Sequence, residues 1–296
     1  MEKRIDMVKL ILKWVLCVIV YTSVFLIING IVPYSQVFTE SSGSEDPSSL
    51  LFFLIYSIWV CFAIYFIIRN SSLKGLKLYF STVFVLFFIQ SFMTQIETLF
   101  FIEAFPKLLV LDVVLFMLRD LLSLLITVPL MIKFFQNKDI IIVKVEINAI
   151  SILIKLGIIG IIYTFVYMIF GYFVAWQFTE LRIFYSGSPE KLSFIDQLIN
   201  NINTNPVIYP FQLLRGILFG FFIVPLLYMI NKKITFIISV CLTYLCTGIV
   251  LIIPNVLFPD MVRYGHLVEM ISSMLLFGII VGIIMWNNKN RQNGKD

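Results

Sequence analysis

Phe92-Met93-Thr94-Gln95-Ile96-Glu97-Thr98-Leu99-Phe100 closes an apolar run that covers residues 77–102. At about 1.5 Å of rise per helical residue, such a run is long enough to cross a ~30 Å hydrocarbon core. Backbone N–H and C=O groups in lipid have no water to bond, so a run of this length reads as a helix. On that helix Gln90, Thr94 and Glu97 fall at i, i+4 and i+7 and are expected on one face. Glu97 is costly to keep among apolar residues, and an intramembrane carboxylate is a site hypothesis with a partner to be found.

The same pattern repeats outward. Apolar runs of spanning length occur eight times, near 8–31, 50–69, 77–102, 107–132, 151–177, 207–230, 234–254 and 265–286. The 296 residues are 60% hydrophobic and only 13% charged, against roughly 25% charged in a soluble domain. Mean hydropathy is +1.00. The expectation is an all-α, polytopic transmembrane helix bundle, one integral membrane domain over residues 1–296. No loop exceeds about 30 residues, too few for a soluble catalytic domain of at least ~50. The apolar run after Met1-Glu2-Lys3-Arg4 is too long for a signal peptide and reads as a retained first span.

The net charge of +5 does not signal nucleic acid, because the basic residues sit in short blocks between the spans. Lys3, Arg4, Lys9 and Lys13, then Arg69, Lys74 and Lys77, then Lys133, Lys138 and Lys144, then Lys232 and Lys233, then Lys289, Arg291 and Lys295 fall on one side. Only Lys107, Arg182, Lys191 and Arg263 fall on the other. Cytoplasmic loops carry the lysine and arginine excess, so both termini are expected in the cytoplasm. The outer segments then include a flexible acidic loop at 35–49, a turn at Ser186-Gly187-Ser188-Pro189 and a short surface helix from Asp196 to Asn201. An interfacial segment is expected at 133–150.

Two hairpins echo one another. Leu118-Arg119 and Val128-Pro129-Leu130 in span four recur at equal spacing as Leu214-Arg215 and Val224-Pro225-Leu226 in span six. Upstream, Gln95 and Glu97 near the end of span three are echoed by Gln177 and Glu180 at the end of span five. This reads as a tandem repeat of spans 3–4 and 5–6, of the kind transporters are often built from. Chance similarity between apolar sequences is the plain alternative.

The candidate ligand-binding or charge-pair residues are Glu97, Arg119, Asp120, Gln177, Glu180, Arg215, His266 and Glu269. Arg119 lies about 18 Å in from Lys107, near the midplane, and Arg215 roughly 12 Å below the outer end of span six. Both are too deep to reach water easily and are expected to face protein or a polar cavity. His266, Glu269 and Ser273 fall at i, i+3 and i+7 of span eight. The expectation is a polar pocket that opens outward, lined by spans three to six and eight. Buried Glu–Arg pairs that only staple helices together are the structural alternative. Glu103 and Arg182 are expected solvated or facing headgroups. Gly216 and Gly220, like Gly278 and Gly282, have the G-x-x-x-G spacing that lets helices approach closely. Cys17, Cys61, Cys241 and Cys246 lie in apolar runs without a C-x-x-C pair, and His266 is the single histidine, so no metal or cofactor is expected.

Gly171-Tyr172-Phe173-Val174-Ala175-Trp176-Gln177, Glu180-Leu181-Arg182-Ile183-Phe184-Tyr185 and Phe211-Gln212-Leu213-Leu214-Arg215-Gly216, with His266-Leu267-Val268-Glu269 and Ser272-Ser273, carry a likeness. Together they resemble a group of uncharacterised bacterial multi-spanning inner-membrane proteins, mainly over residues 171–286. That resemblance implies a multi-pass protein of the bacterial cytoplasmic membrane and brings no activity with it.

Three functions from different classes fit the sequence. The favoured one is a transporter or permease-like protein whose arginines bind a small anionic or zwitterionic ligand. The second is an intramembrane enzyme acting on lipid headgroups, against which stands the lack of a nucleophile constellation, a phosphate loop or an acidic metal cluster. The third is a non-enzymatic accessory, immunity or sensor protein. The partners expected are the lipid bilayer, a small-molecule or lipid ligand and another membrane protein, and no nucleic acid.

Overall fold

Among the residues that the computed structural model describes, 2–41, 48–137, 144–145, 148–286 and 291–292, eight helices are long and apolar enough to cross a membrane. They are Met7–Ile31, Ser49–Asn70, Gly75–Phe100, Val110–Phe135, Ala149–Gln177, Ile208–Met229, Lys233–Ile252 and Asp260–Met285. Each lies within a few residues of an expected run. The largest departure is span eight, which starts at Asp260 rather than near 265. Pro259 precedes it, and Asp260 sits in its first turn, where a negative charge meets the positive end of the helix dipole.

The elements are α1 (Glu2–Ile31), α2 (Gln36–Ser41), α3 (Ser48–Asn70), α4 (Gly75–Leu86), α5 (Met93–Phe100), α6 (Val110–Phe135), α7 (Ala149–Phe173), α8 (Thr179–Ser186), α9 (Phe194–Thr204), α10 (Ile208–Phe222), α11 (Val224–Met229), α12 (Lys233–Ile249) and α13 (Asp260–Met285). Span three is α4 and α5 joined by a π-helical stretch, Phe87–Phe92. Span six is α10 and α11 with a break at Ile223. Pro225 sits in the first turn of α11, where its missing N–H leaves no bond unmade. Pro129, by contrast, lies inside an unbroken α6. The two hairpins therefore differ in their returning helices, although the helices of each pack together.

Lipid tails are as apolar as the side chains they would replace, so helix association rests on close packing and polar contacts. One half of the bundle packs α1 against α3 and α6, and the other packs α7 against α10 and α12 against α13. The halves meet where α12 touches α3 and the π-helical stretch, and where α10 touches the π-helical stretch and α5. Small residues set the second half's spacing. A Cβ on Gly216 would lie 2.8 Å from Gly160 Cα, and one on Gly282 would lie 3.0 Å from Ile237 Cα in α12.

The connections at the end where α1 and α5 finish and α6 and α10 begin form an aromatic cap. Phe105 meets Phe258 at 5.2 Å between ring centroids, and Phe184 packs on both. The expected loop at 35–49 is helical at Gln36–Ser41, and 42–47 lie outside the described residues. The surface helix expected at Asp196–Asn201 runs from Phe194 to Thr204, with the Ser193 hydroxyl accepting Asp196 N–H at 3.2 Å. Gly187, in the expected turn, ends α8 with φ of 70°. The interfacial segment expected at 133–150 falls largely outside the described residues. Of it, Lys144–Val145 pair antiparallel with Arg291–Gln292.

Candidate functional site

Glu97 lies near the end of α5, three residues from Phe100, and finds its partner across the bundle in α10. Arg215 donates from Nη1 to Glu97 Oε1 at 2.5 Å and from Nη2 to Glu97 Oε2 at 2.7 Å, an end-on bidentate pair. Nη1 also donates to Gln212 Oε1 at 2.9 Å. The Arg215 side chain is 1% exposed and that of Glu97 27%, so the carboxylate is the side of the pair nearer to solvent. Tyr163, Phe211 and Phe219 put ring centroids 5.5 to 5.9 Å from the guanidinium carbon, and an aromatic face favours a cation. Two buried donors have no partner: Arg215 Nε and Gln212 Nε2.

Around this pair stands a second layer of titratable groups. Tyr163 and Tyr167 of α7 are within electrostatic reach of Glu97, Arg215 and Glu269. His266 of α13 has Glu269 Oε2 at 3.6 Å from Nδ1, and Tyr185 Oη of α8 at 3.0 Å from Nε2. Burial, and then the negative charges of Glu97 and Glu269, push the Tyr185 phenol well above its ordinary range. Gly265 lets α8 close on α13 here, since a Cβ there would come within 3.0 Å of Leu181 and Phe178.

Arg119 and Asp120 form a separate cluster between α6, α1 and the π-helical stretch. Neighbouring residues on a helix do not ordinarily face each other. Here the Arg119 side chain folds back, with Nε and Nη2 at 3.0 and 2.9 Å from Asp120 Oδ1. Nη1 reaches Asn29 Oδ1 at 3.0 Å, and Ser91 Oγ donates to Asp120 Oδ2 at 2.7 Å. Phe25 lies 4.2 Å below the guanidinium. Tyr34 also donates to Asn29, and its own burial raises the phenol's pKa while the Arg119 charge pulls the other way.

The expected charges therefore sort into two clusters. Arg215, Glu97, His266 and Glu269 belong to one, and Arg119 and Asp120 to the other. Gln177 and Glu180 join neither. Both are exposed, and Gln177 spends its amide on the Tyr172 carbonyl at 2.7 Å and on Lys191 at 2.6 Å. The Glu97 echo is thus present in the letters and not in the placement. Gln90, expected on the Glu97 face, turns to Tyr21 of α1 at 3.4 Å. The π-helical stretch between them carries extra residues per turn and shifts the helix phase.

Arg182 is a further correction. It is buried rather than solvated, and it binds backbone: Trp176 O at 2.6 Å, Pro189 O at 2.8 Å, with Thr179 Oγ1 at 3.0 Å. Arg263, also buried, holds the carbonyls of Leu251 and Ile252 after α12, where a cation suits the negative end of a helix. Tyr163 and Tyr167 had a legible signal, an i, i+4 pair of hydroxyls in an apolar run. Asn29 and Ser91 had none, because their role depends on which helices meet.

Compared with protein-family models, with curated proteins and with solved structures, the chain matches none. Its chemistry must be read from the clusters. Among the described residues no three of His, Cys, Asp and Glu converge to hold a metal ion. What the Arg215 cluster offers is a fixed buried cation, a carboxylate partly open to solvent and two spare N–H donors. That set suits recognition of an oxyanion.

Proposed function

We propose that this multi-pass membrane protein is a transporter or permease-like protein whose ligand site is centred on Arg215. The observation that carries the reading is the pair of unpartnered donors, Arg215 Nε and Gln212 Nε2, on side chains 1% and 0% exposed. A buried donor without a partner loses about 1–3 kcal/mol of desolvation, and a bound anion would recover it. The pair sits on broken or irregular spans. Span three carries a π-helical stretch and span six a break at Ile223, and discontinuous helices are where membrane transporters place ligands. The lysine and arginine bias supports a site in the outer half, with the start of α1 and the end of α13 on the cytoplasmic side of a bacterial membrane.

The test is flux through proteoliposomes of the full chain, loaded in turn with radiolabelled acetate, lactate, glutamate and inorganic phosphate. Accelerated movement of at least one, abolished by Arg215→Met, is expected. Rates equal to those of protein-free vesicles for all four would sink the proposal.

A further inference from the structure

Glu97 grips Arg215 through the end of the guanidinium fork, Nη1 and Nη2, and so leaves the Nε edge bare. The Gln212 amide is held by its oxygen on Nη1, which leaves Nε2 bare too. The cluster already accommodates one carboxylate, and its two spare donors can serve a second lying side-on to Arg215. Two carboxylates beside one arginine would carry a net charge of −1 into a low-dielectric setting, where like charges cannot both stay ionised. Other groups facing Glu97 do not supply the missing positive charge. From α7 come Tyr163 and Tyr167, from α8 Tyr185, and from α13 His266 already beside the Glu269 carboxylate. The π-helical stretch offers no ionisable side chain, α6 keeps Arg119 on Asp120, and α10 offers only Arg215 itself.

We infer that Arg215 and Gln212 bind the carboxylate of a small organic acid, and that each such anion enters together with one proton taken up by Glu97. This rests on the transport reading and makes it a proton-coupled one. The charge balances: Arg215⁺ with Glu97⁻ becomes Arg215⁺ with the ligand carboxylate and a neutral Glu97. The proton comes from the aqueous side through the exposed edge of Glu97 and returns to water when the ligand leaves. Glu97 is suited to this because its side chain is 27% exposed while that of Arg215 is 1%.

The test uses the full chain in detergent micelles, weakly buffered, with a pH indicator and calorimetry. Acetate, lactate and glutamate are added in separate arms, and inorganic phosphate and chloride in two more. The expected result is binding of a carboxylate with close to one proton taken up. Its affinity falls by about tenfold per pH unit once Glu97 is ionised in the free protein. Glu97→Gln should bind the same acid with no proton uptake and no pH dependence, and the acid should raise that variant's melting temperature. Binding without proton uptake, or uptake retained in Glu97→Gln, overturns the coupling and leaves the transport reading standing. Binding of phosphate alone overturns the carboxylate assignment. If no anion binds to either protein, both readings fall. Should Glu97→Gln not fold, the wild-type pH slope decides, since a slope of one supports the coupling and a flat profile refutes it.

Discussion

Gly216→Ala places a methyl group where α7 and α10 touch. The new Cβ would lie 2.5 Å from Tyr163 Cβ, 2.8 Å from Gly160 Cα and 3.1 Å from Gly160 O. Carbon atoms sit comfortably at about 3.5–4.0 Å, so the helices must part by about 1 Å. None of the three atoms is the tip of a flexible side chain, so none can swing aside. A gap of that size forfeits a quarter to a half of each dispersion contact along the interface. Overpacking of this kind costs about 1–3 kcal/mol, and the rigid neighbours place Gly216→Ala at the upper end. Unfolding in mixed micelles, titrated with dodecyl sulfate and followed by circular dichroism, measures it. Gly157→Ala, also in α7, is the control, because its Cβ meets nothing within 4 Å. The control should be no less stable than the wild type, given the better helix propensity of alanine. If Gly216→Ala unfolds within about 0.5 kcal/mol of the wild type, an ordinary surface effect, the close-contact argument is refuted.

Removing one partner of the buried pair should do more than removing both. Arg215→Met or Glu97→Ala alone should lose about 3–5 kcal/mol, and the double variant considerably less than the sum; additive losses in the same titration would mean that the pair is not coupled. Asp112→Asn disturbs a carboxylate that accepts Ser35 N–H and Ser35 Oγ at 2.7 Å each and Leu109 N–H at 3.0 Å. It should cost about 1–2 kcal/mol and speed proteolysis near 35–41, and an unchanged cleavage rate there would contradict it. Tyr185 has a raised pKa in the folded protein, so above the ordinary phenol value of about 10 the unfolded chain has given up this proton and the folded one has not. Stability should therefore fall as pH rises from about 10, and Tyr185→Phe should flatten that decline; identical alkaline profiles for the two proteins would show the phenol to be unperturbed.

The eight spans were legible because a membrane imposes one length and one composition on every crossing. Glu97, Arg215, His266 and Glu269 stood out for the same reason, since a charge in an apolar run has few innocent explanations. Partner choice was not legible. Arg119 takes its own neighbour Asp120 together with Asn29, and Arg215 takes Glu97 from a span three crossings earlier, a choice set by how helices pack. Glu180 misled because its spacing from Gln177 copies that of a deep pair, while the chain there has already left the span for α8. Arg182 misled in the other direction. A charge in a loop usually finds water, but this loop folds back over the bundle and its free carbonyls take the guanidinium instead.

The π-helical stretch at Phe87–Phe92 makes the site depend on chain length as much as on chemistry. Each residue of an α-helix turns its successor by about 100°. Deleting a single residue here, even an apolar one, would relax the stretch into ordinary α-helix and swing Glu97 by about that angle away from Arg215. Every functional group would survive, and the pair would still be lost. A one-residue insertion nearby would restore it. For this helix an in-frame loss of one codon is a harsher lesion than most substitutions, because the carboxylate's direction is stored as a phase and not as a contact.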